Sequence, residues 1–216
     1  MKASRVNSPQ TAHPGATRLL EVAARLFAEQ GYAGTSISDL ARAAGVSKSN
    51  VFHHFASKEA LYFRVIRDAV QRFGRTLNEI LESDGAFTEQ LHFMQRAHLE
   101  HVFSHREVAL LILRELQSVD SERGGRLAAE VFSTNFKLVV RLLREGQKQG
   151  IIRDDVACPV AAVMLLSMNV QYFQARDVMI RLPGLEAAAD PEWFVDRTLD
   201  VFLNGLTCAP VAGGAK

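Results

Sequence analysis

The chain has little of what staples a fold or carries it across a membrane. Its only two cysteines, Cys158 and Cys208, lie far apart and form no CxxC pair, so neither a disulfide framework nor a thiolate zinc site is written into it. Nothing beside either thiol prepares a thiolate, and both read as incidental. The most apolar stretch, over 160–170, is interrupted by Ser167 and Asn169 and is too short to span a bilayer. Residues 1–14 carry Lys2 and Arg5 but no apolar core of a signal peptide. The expectation is a cytoplasmic protein with no membrane contact. Catalytic signatures are also missing: there is no GxSxG, no glycine-rich phosphate loop after a strand and no HExxH. The pair Asp154–Asp155 reads as a solvated turn, and no enzyme activity, cofactor or metal is expected.

A net charge of +1 excludes nothing, but its distribution is uneven. Residues 1–82 hold eleven Lys or Arg against seven Asp or Glu, whereas 83–216 hold fourteen against seventeen. The basic excess at the N-terminal end suits a partner with phosphates. With 216 residues the chain can bury a sizeable core in one or two domains.

What is present is helical punctuation, and the informative stretch is Ile37 to Phe55, ISDLARAAGVSKSNVFHHF. Leu40, Ala41 and Ala44 make one apolar face, Gly45 supplies a positive-φ stop, and Val46 fills the gap before a second helix. Ser47 is placed to N-cap that helix, with Val51 and Phe55 turned inward and Lys48, Ser49, Asn50, His53 and His54 turned out. A short polar and basic helix of this kind fits the DNA major groove. Upstream, Leu19, Val22, Ala23, Leu26 and Phe27 form the stripe of a first helix over 16–30, stopped by Gly31. Ser36 and Asp39 are spaced as a capping pair. Downstream, Ser57–Lys58–Glu59 opens a long helix in which Leu61, Val65, Ala69, Phe73, Leu77 and Leu81 recur every four residues.

The run Gly31 to Leu61, GYAGTSISDLARAAGVSKSNVFHHFASKEAL, resembles the TetR family of transcriptional regulators in the order and spacing of its motifs. The resemblance implies an all-α protein with an N-terminal three-helix helix-turn-helix domain. A long fourth helix joins this to a C-terminal helical domain for ligand binding and dimerisation. The expected organisation is a disordered arm over 1–15, a DNA-binding domain over 16–60, an effector-binding and dimerisation domain over 61–208 with 61–82 as linking helix, and a flexible tail over 209–216. Ser83 to Ala86 breaks the pattern and is the expected boundary. Beyond it, helices are predicted over 88–104, 106–119, 123–149, 160–182 and 192–206, with Pro159 in the first turn of one and Asp190–Pro191 opening the last.

Carried onto this chain, the resemblance places Ser36 and Lys58 near DNA phosphates, and Ser47, Lys48, Ser49, Asn50, Phe52, His53 and His54 on the reading helix. Three positions depart from the family's common residues. Phe52 replaces a Tyr and loses its phosphate-donating hydroxyl, Ser49 replaces a frequent Gly, and Asn50, which can bond adenine bidentately, replaces a frequent Thr. The implied partners are a palindromic double-stranded operator, a second copy of the chain and a small apolar effector. In the family the last two helices form the dimer interface, here Val163, Leu166, Val170 and Phe173 with Trp193, Phe194, Leu199 and Phe202. A reading helix of seven residues spans only ~10 Å, so two copies about one DNA turn apart are needed to read a palindrome. For an effector cavity the candidates are Phe93, Met94, Phe103 and Phe132, with Phe136, Met164, Met168, Tyr172 and Phe173. His98, His101 and His105 stand at i, i+3 and i+7 with His92 a turn away, a face that could hold Zn²⁺. No Cys or carboxylate set completes that shell, so hydrogen-bonded histidines are the expectation. The alternative function is a DNA-bound structural or protein-interaction factor without an effector. A filled body core favours that alternative, and a closed apolar cavity favours the sensor.

Overall fold

A computed structural model describes residues 14–117 and 122–204. The expected arm over 1–15 lies outside the described residues except for Pro14 and Gly15, which belong to the first helix, and the expected helix ends at Val119 and Leu206, Cys208 and the tail over 209–216 also lie outside them. Those described form helices and no strand. They are α1 (Pro14–Gly34), α2 (Ile37–Ala44), α3 (Lys48–His54), α4 (Lys58–Glu82), α5 (Phe87–Ser104), α6 (Arg106–Gln117) and α7 (Glu122–Leu127), then a π-helical turn (Ala128–Phe132), α8 (Ser133–Lys148), α9 (Cys158–Met179), a 3₁₀ turn (Glu186–Ala189) and α10 (Pro191–Asn204). No described helix is long and apolar enough to cross a membrane.

Local chemistry sets the helix ends. Gly31 takes φ 75°, ψ 169° and breaks α1, which closes with one more turn to Gly34. Ser36 and Asp39 form a reciprocal capping box at the start of α2, and Gly45 ends it in the left-handed region at φ 70°. The Ser47 hydroxyl accepts the Asn50 amide at 3.1 Å, and the Ser57 hydroxyl accepts the Ala60 amide at 3.0 Å, starting α3 and α4. Asp190 caps α10 by accepting the Glu192 amide at 3.0 Å. The segment expected as one helix over 123–149 is instead α7 and α8 joined through the π turn. Periodicity within a run of helix formers does not register one surplus residue.

Two apolar cores share α4. Leu61, Val65, Ile66 and Ala69 pack with Leu19, Ala23, Phe27, Leu40, Ala41, Val51 and Phe55 in a head core that also takes Val108 and Leu111 of α6, Leu127 of α7 and Val131 of the π turn. Phe73, Leu77 and Ile80, farther along the same stripe, pack with α5, α8, α9 and α10 in a body core. The change of core therefore falls inside α4, between Ala69 and Phe73, and α6, α7 and the π turn, which follow Ser83–Ala86 in the chain, add their buried side chains to the head core. The head's short helices bury too few side chains to close a core alone, and the body elements complete it.

The body packs closely enough to exclude a methyl group at Gly146. A Cβ there would lie 2.6–2.9 Å from three atoms of the Phe87 ring, itself 1% exposed. Gly146→Ala should therefore destabilise the protein by about 1–3 kcal/mol through overpacking. Thermal unfolding should move down by several degrees, and an unchanged midpoint would show that the α5–α8 contact is slack.

Candidate nucleic-acid interface

The head presents α3 as its outward element. Val51 is fully buried and Phe55 nearly so, fixing the helix from behind, while Lys48, Ser49, Asn50, Phe52 and His53 are exposed and His54 is half-buried. The rings of His53 and His54 meet edge to face at 5.2 Å. Five of these six side chains can donate hydrogen bonds, and Phe52, 52% exposed, is an apolar surface among them. The arrangement suits base edges and thymine methyls as well as phosphates.

Two serines placed near DNA by the resemblance are engaged in the chain's own caps. The Ser36 hydroxyl bonds the Asp39 carboxylate while accepting the Asp39 amide at 3.1 Å. That hydrogen bond, helped by Arg42 at 3.2 Å, holds the Asp39 carboxyl below its ordinary range. A carboxylate beside Ser36 repels phosphate, so capping accounts for Ser36. Ser47 is likewise a cap.

Lys58 departs most from expectation. Its ammonium donates to the carbonyl oxygens of Tyr32 at 2.8 Å and Thr35 at 3.0 Å, and lies 4.2 Å from the centre of the Tyr32 ring. The Tyr32 carbonyl lies in the last turn of α1 and the Thr35 carbonyl just beyond it, where a cation is stabilised by the helix dipole and by unpaired acceptors. Lys58 ties α1 to the start of α4, instead of reaching outward as a phosphate ligand.

The expected effector residues do not converge. Phe93 and Met164 are more than half exposed, Met94 and Tyr172 are sealed, Phe132 packs on the head core, and Phe136 and Met168 pack on the body core. Phe103 lies edge-on to Phe173 at 5.3 Å. Tyr172 instead holds the 3₁₀ turn, donating to the Ala188 carbonyl at 2.8 Å and stacking on Phe194 at 4.2 Å. Helical spacing identifies a face, but what covers that face is a property of the packed chain. Of the expected set, Phe93 lines one of the clefts, and a larger cleft lies elsewhere. One of about 750 Å³ opens between α1, α4 and the α5–α6 corner, where Arg18, Arg25 and Arg72 mix with Glu21, Asp68 and Glu107. Another of about 350 Å³ runs along α5 beside His92, Phe93 and Arg96.

Between α5 and α9 the interior is polar, a feature the sequence reading missed because Gln95 and Asn169 have no motif around them. Gln95 donates to the Leu165 carbonyl at 3.1 Å, and Asn169 donates to the Gln95 carbonyl at 2.8 Å, so each amide grips the other helix's backbone. Asn169 also meets His98 Nδ1 at 3.2 Å. Burial pushes His98 down to about 3 and His101 down to about 4, keeping both neutral. His105 has Nδ1 at 3.0 Å from the His101 carbonyl and Nε2 at 3.1 Å from Arg72 Nε, so its one lone pair is taken. Among the described residues no three His, Cys, Asp or Glu side chains stand where they could hold a metal ion.

The expected partner-facing set divides in two. Val163 is 54% exposed, in line along α9 with exposed Val160, Met164, Ser167, Gln171 and Val178. Phe194, Leu199 and Phe202 are buried in the body core, with Leu166 and Trp193 packed against it. Phe173 is buried under Phe103 and the Arg106 guanidinium, and Val170 is half-buried. α9 is apolar on more than one side, and the side used inside the chain was not separable by spacing.

Comparison with known proteins follows the same two-part layout. Residues 19–65 match the family described as bacterial regulatory proteins, tetR family, and residues 84–174 match the tetracyclin repressor-like C-terminal domain. The chain belongs to the tetR family. Among its relatives, the HTH-type transcriptional repressor KstR2 of Rhodococcus jostii is 31% identical over 147 residues, covering 67% of this chain and 71% of that protein. The solved structure of the TetR family transcriptional regulator PfmR from Thermus thermophilus has a TM-score of 0.69 at 28% identity, over 89% of this chain and 97% of its own. AibR, solved in complex with isovaleryl coenzyme A and operator DNA, has a TM-score of 0.69 at 23% identity, over 88% of this chain and 98% of its own. KstR2 and PfmR are named as regulators of transcription.

Lys48 and Lys58 should separate experimentally. Lys58→Ala leaves the Tyr32 and Thr35 carbonyls without this donor and should lower the unfolding midpoint, at a cost of about 1–3 kcal/mol. Lys48→Ala, at an exposed site, should leave the midpoint within about a degree, as surface changes usually do. Equal midpoints for the two variants would return Lys58 to the solvent-facing role.

Proposed function

We propose that this tetR-family chain is a ligand-responsive repressor that binds a palindromic operator as a homodimer, with α3 in the major groove. The observation that carries this reading is the exposed row Lys48, Ser49, Asn50, Phe52 and His53 on a helix anchored by Val51 and Phe55. Lys48 supplies charge, Ser49 and Asn50 read base edges, and Phe52 offers an apolar face where the family commonly has Tyr. His53 and His54 lie toward the backbone. The DNA-binding domain is the head, and the body serves effector binding and dimerisation. The second copy docks on the α9 face of Val160, Val163 and Met164, continued on α10 by Val201, which is 69% exposed.

The effector is a small molecule with an apolar part. KstR2 of Mycobacterium tuberculosis is named a ketosteroid transcriptional regulator in its solved form, and AibR was solved with isovaleryl coenzyme A, which makes coenzyme A thioesters and steroids the first classes to try. Asn169 Oδ1, buried and without a partner among the described residues, is an acceptor that a ligand donor would satisfy. For release to occur, the effector must prefer the state that does not fit DNA. The filled interior between α5 and α9 favours the second reading, a DNA-bound interaction factor without an effector. A thioester and steroid panel that neither shifts the melting temperature nor releases DNA would support that second reading.

Selection of bound fragments from a random DNA library should return an inverted repeat. On it, Lys48→Ala should weaken binding about equally across sequences and reduce the salt slope by about one unit, while Asn50→Ala should relax preference at one position per half-site. Parent-like behaviour of both would move the reading face away from α3. Val163→Glu should shift the protein from dimer to monomer in analytical ultracentrifugation; a dimer that persists would place the second copy elsewhere.

A further inference from the structure

The segment Glu122–Phe132 clasps the head with two arginines. Arg123 Nε donates to Glu115 Oε1 at 2.9 Å, and its guanidinium lies 4.2 Å from the Tyr32 ring centre and 5.8 Å from that of Tyr62. The Tyr62 hydroxyl donates to the other Glu115 oxygen at 3.0 Å, so this buried carboxylate is held from both sides. Tyr32 thereby meets two cations, Arg123 and Lys58, each 4.2 Å from its ring centre. One turn on, Arg126 Nη1 sits 3.0 Å from Glu59, and its guanidinium lies 4.7 Å from the Phe63 ring centre. Tyr32 lies just before α2, and Glu59 and Phe63 lie just after α3, so both grips bracket the reading helices. Leu127 and Val131 of the same segment are buried in the head core.

This segment enters α8 through the π turn, which holds one residue more than a regular helix would. The Ser133 amide donates to the Ala128 carbonyl, five residues back, and the Ser133 hydroxyl donates to the Ala129 carbonyl at 2.8 Å. In a regular α-helix the Ala129 carbonyl would receive the Ser133 amide itself. The hydroxyl thus replaces the bond whose loss makes the turn possible. Annealing the turn to α would rotate α7 by about 100° and move it by ~1.5 Å relative to α8. Arg123, Arg126 and Leu127, spaced i, i+3 and i+4 on one side of α7, would leave the head together.

We propose that the Ser133-supported π turn is a register switch, and that Arg123 and Arg126 are positioning residues through which it sets the affinity of the head for DNA. The partners of both arginines lie within the chain: Glu115, Tyr32 and Tyr62 for Arg123, Glu59, Phe63 and Glu130 for Arg126. With the turn in place they hold the head in one orientation before DNA arrives; with the turn annealed the head must be ordered during binding, which weakens it. Two heads on one palindrome double the effect. The inference rests on α3 being the DNA-contacting helix, and its outcome is separate, because Lys48→Ala tests that reading without touching α7.

The test uses the full-length protein and a DNA fragment selected by the parent, with affinity read by fluorescence anisotropy and thermal unfolding recorded alongside. Arg123→Gln, Arg126→Gln and Ser133→Ala are each expected to weaken binding threefold or more, with helix content and dimer mass unchanged. The double variant Ser133→Ala with Arg126→Gln is expected to bind no more weakly than the poorer single variant, since both changes release the same clasp. Losses that multiply in the double variant would overturn the shared mechanism. Binding within twofold of the parent for both arginine variants would overturn the clasp, and these two keep the chain length and the π turn, so they decide the matter even if Ser133→Ala fails to fold.

Discussion

Everything in this molecule hangs on one helix being buried twice. The stripe of α4 enters the head core from Leu61 to Ala69 and the body core from Phe73 to Ile80, and a single α-helix of 25 residues has no joint at which those two burials can be uncoupled. Lys58 fixes the head end of that helix to the Tyr32 carbonyl in the last turn of α1 and to the Thr35 carbonyl just beyond it. A tilt of α4 in the body must therefore carry α1, and through the head core α2 and α3, with it. The head borrows Val108, Leu111, Leu127 and Val131 to complete its core, so α6 and α7 feel the same displacement.

Polar groups in the interior give the body a fixed register. Gln95 and Asn169 each donate to a backbone carbonyl of the facing helix, which an apolar pair of the same size would not do. Neutral His98 and His101 pack on Phe73 of α4, at 4.9 and 5.6 Å, and so place the polar layer against the helix shared by the two cores. A body that is apolar at its ends and polar at this level packs α5 on α9 in one alignment, and a ligand that altered the layer would act directly on α4.

Much of the head was legible from the chain. Ser36 with Asp39, Gly45, Ser47 and Ser57 act within four residues of where they stand, and short-range hydrogen bonds and positive-φ requirements are written in local order. Inward Val51 and Phe55 followed from a period of 3.6 within one short helix. Lys58 shows where that legibility ends, since its partners are 26 and 23 residues away; spacing could say that it begins α4 but not that α1 ends beside it. The histidines of α5 illustrate the same limit, for a shared helix face was readable, whereas the Asn169 and Arg72 partners that occupy His98 and His105 come from α9 and α4.

By itself the sequence determined an all-helical chain, a helix-turn-helix with its caps and a four-residue stripe along α4, because each depends on periodicity or on contacts within a turn or two, while the family was legible only through the resemblance carried by Gly31 to Leu61. Only the tertiary structure decided which apolar faces lie inside. It buried Leu199 and Phe202 while leaving Val163 and Met164 exposed, filled the space between α5 and α9 with amides, and set the surplus residue of the π turn where α7 grips the head. These outcomes depend on which helix comes to lie against which face, and the spacing along one helix carries no information about its neighbour.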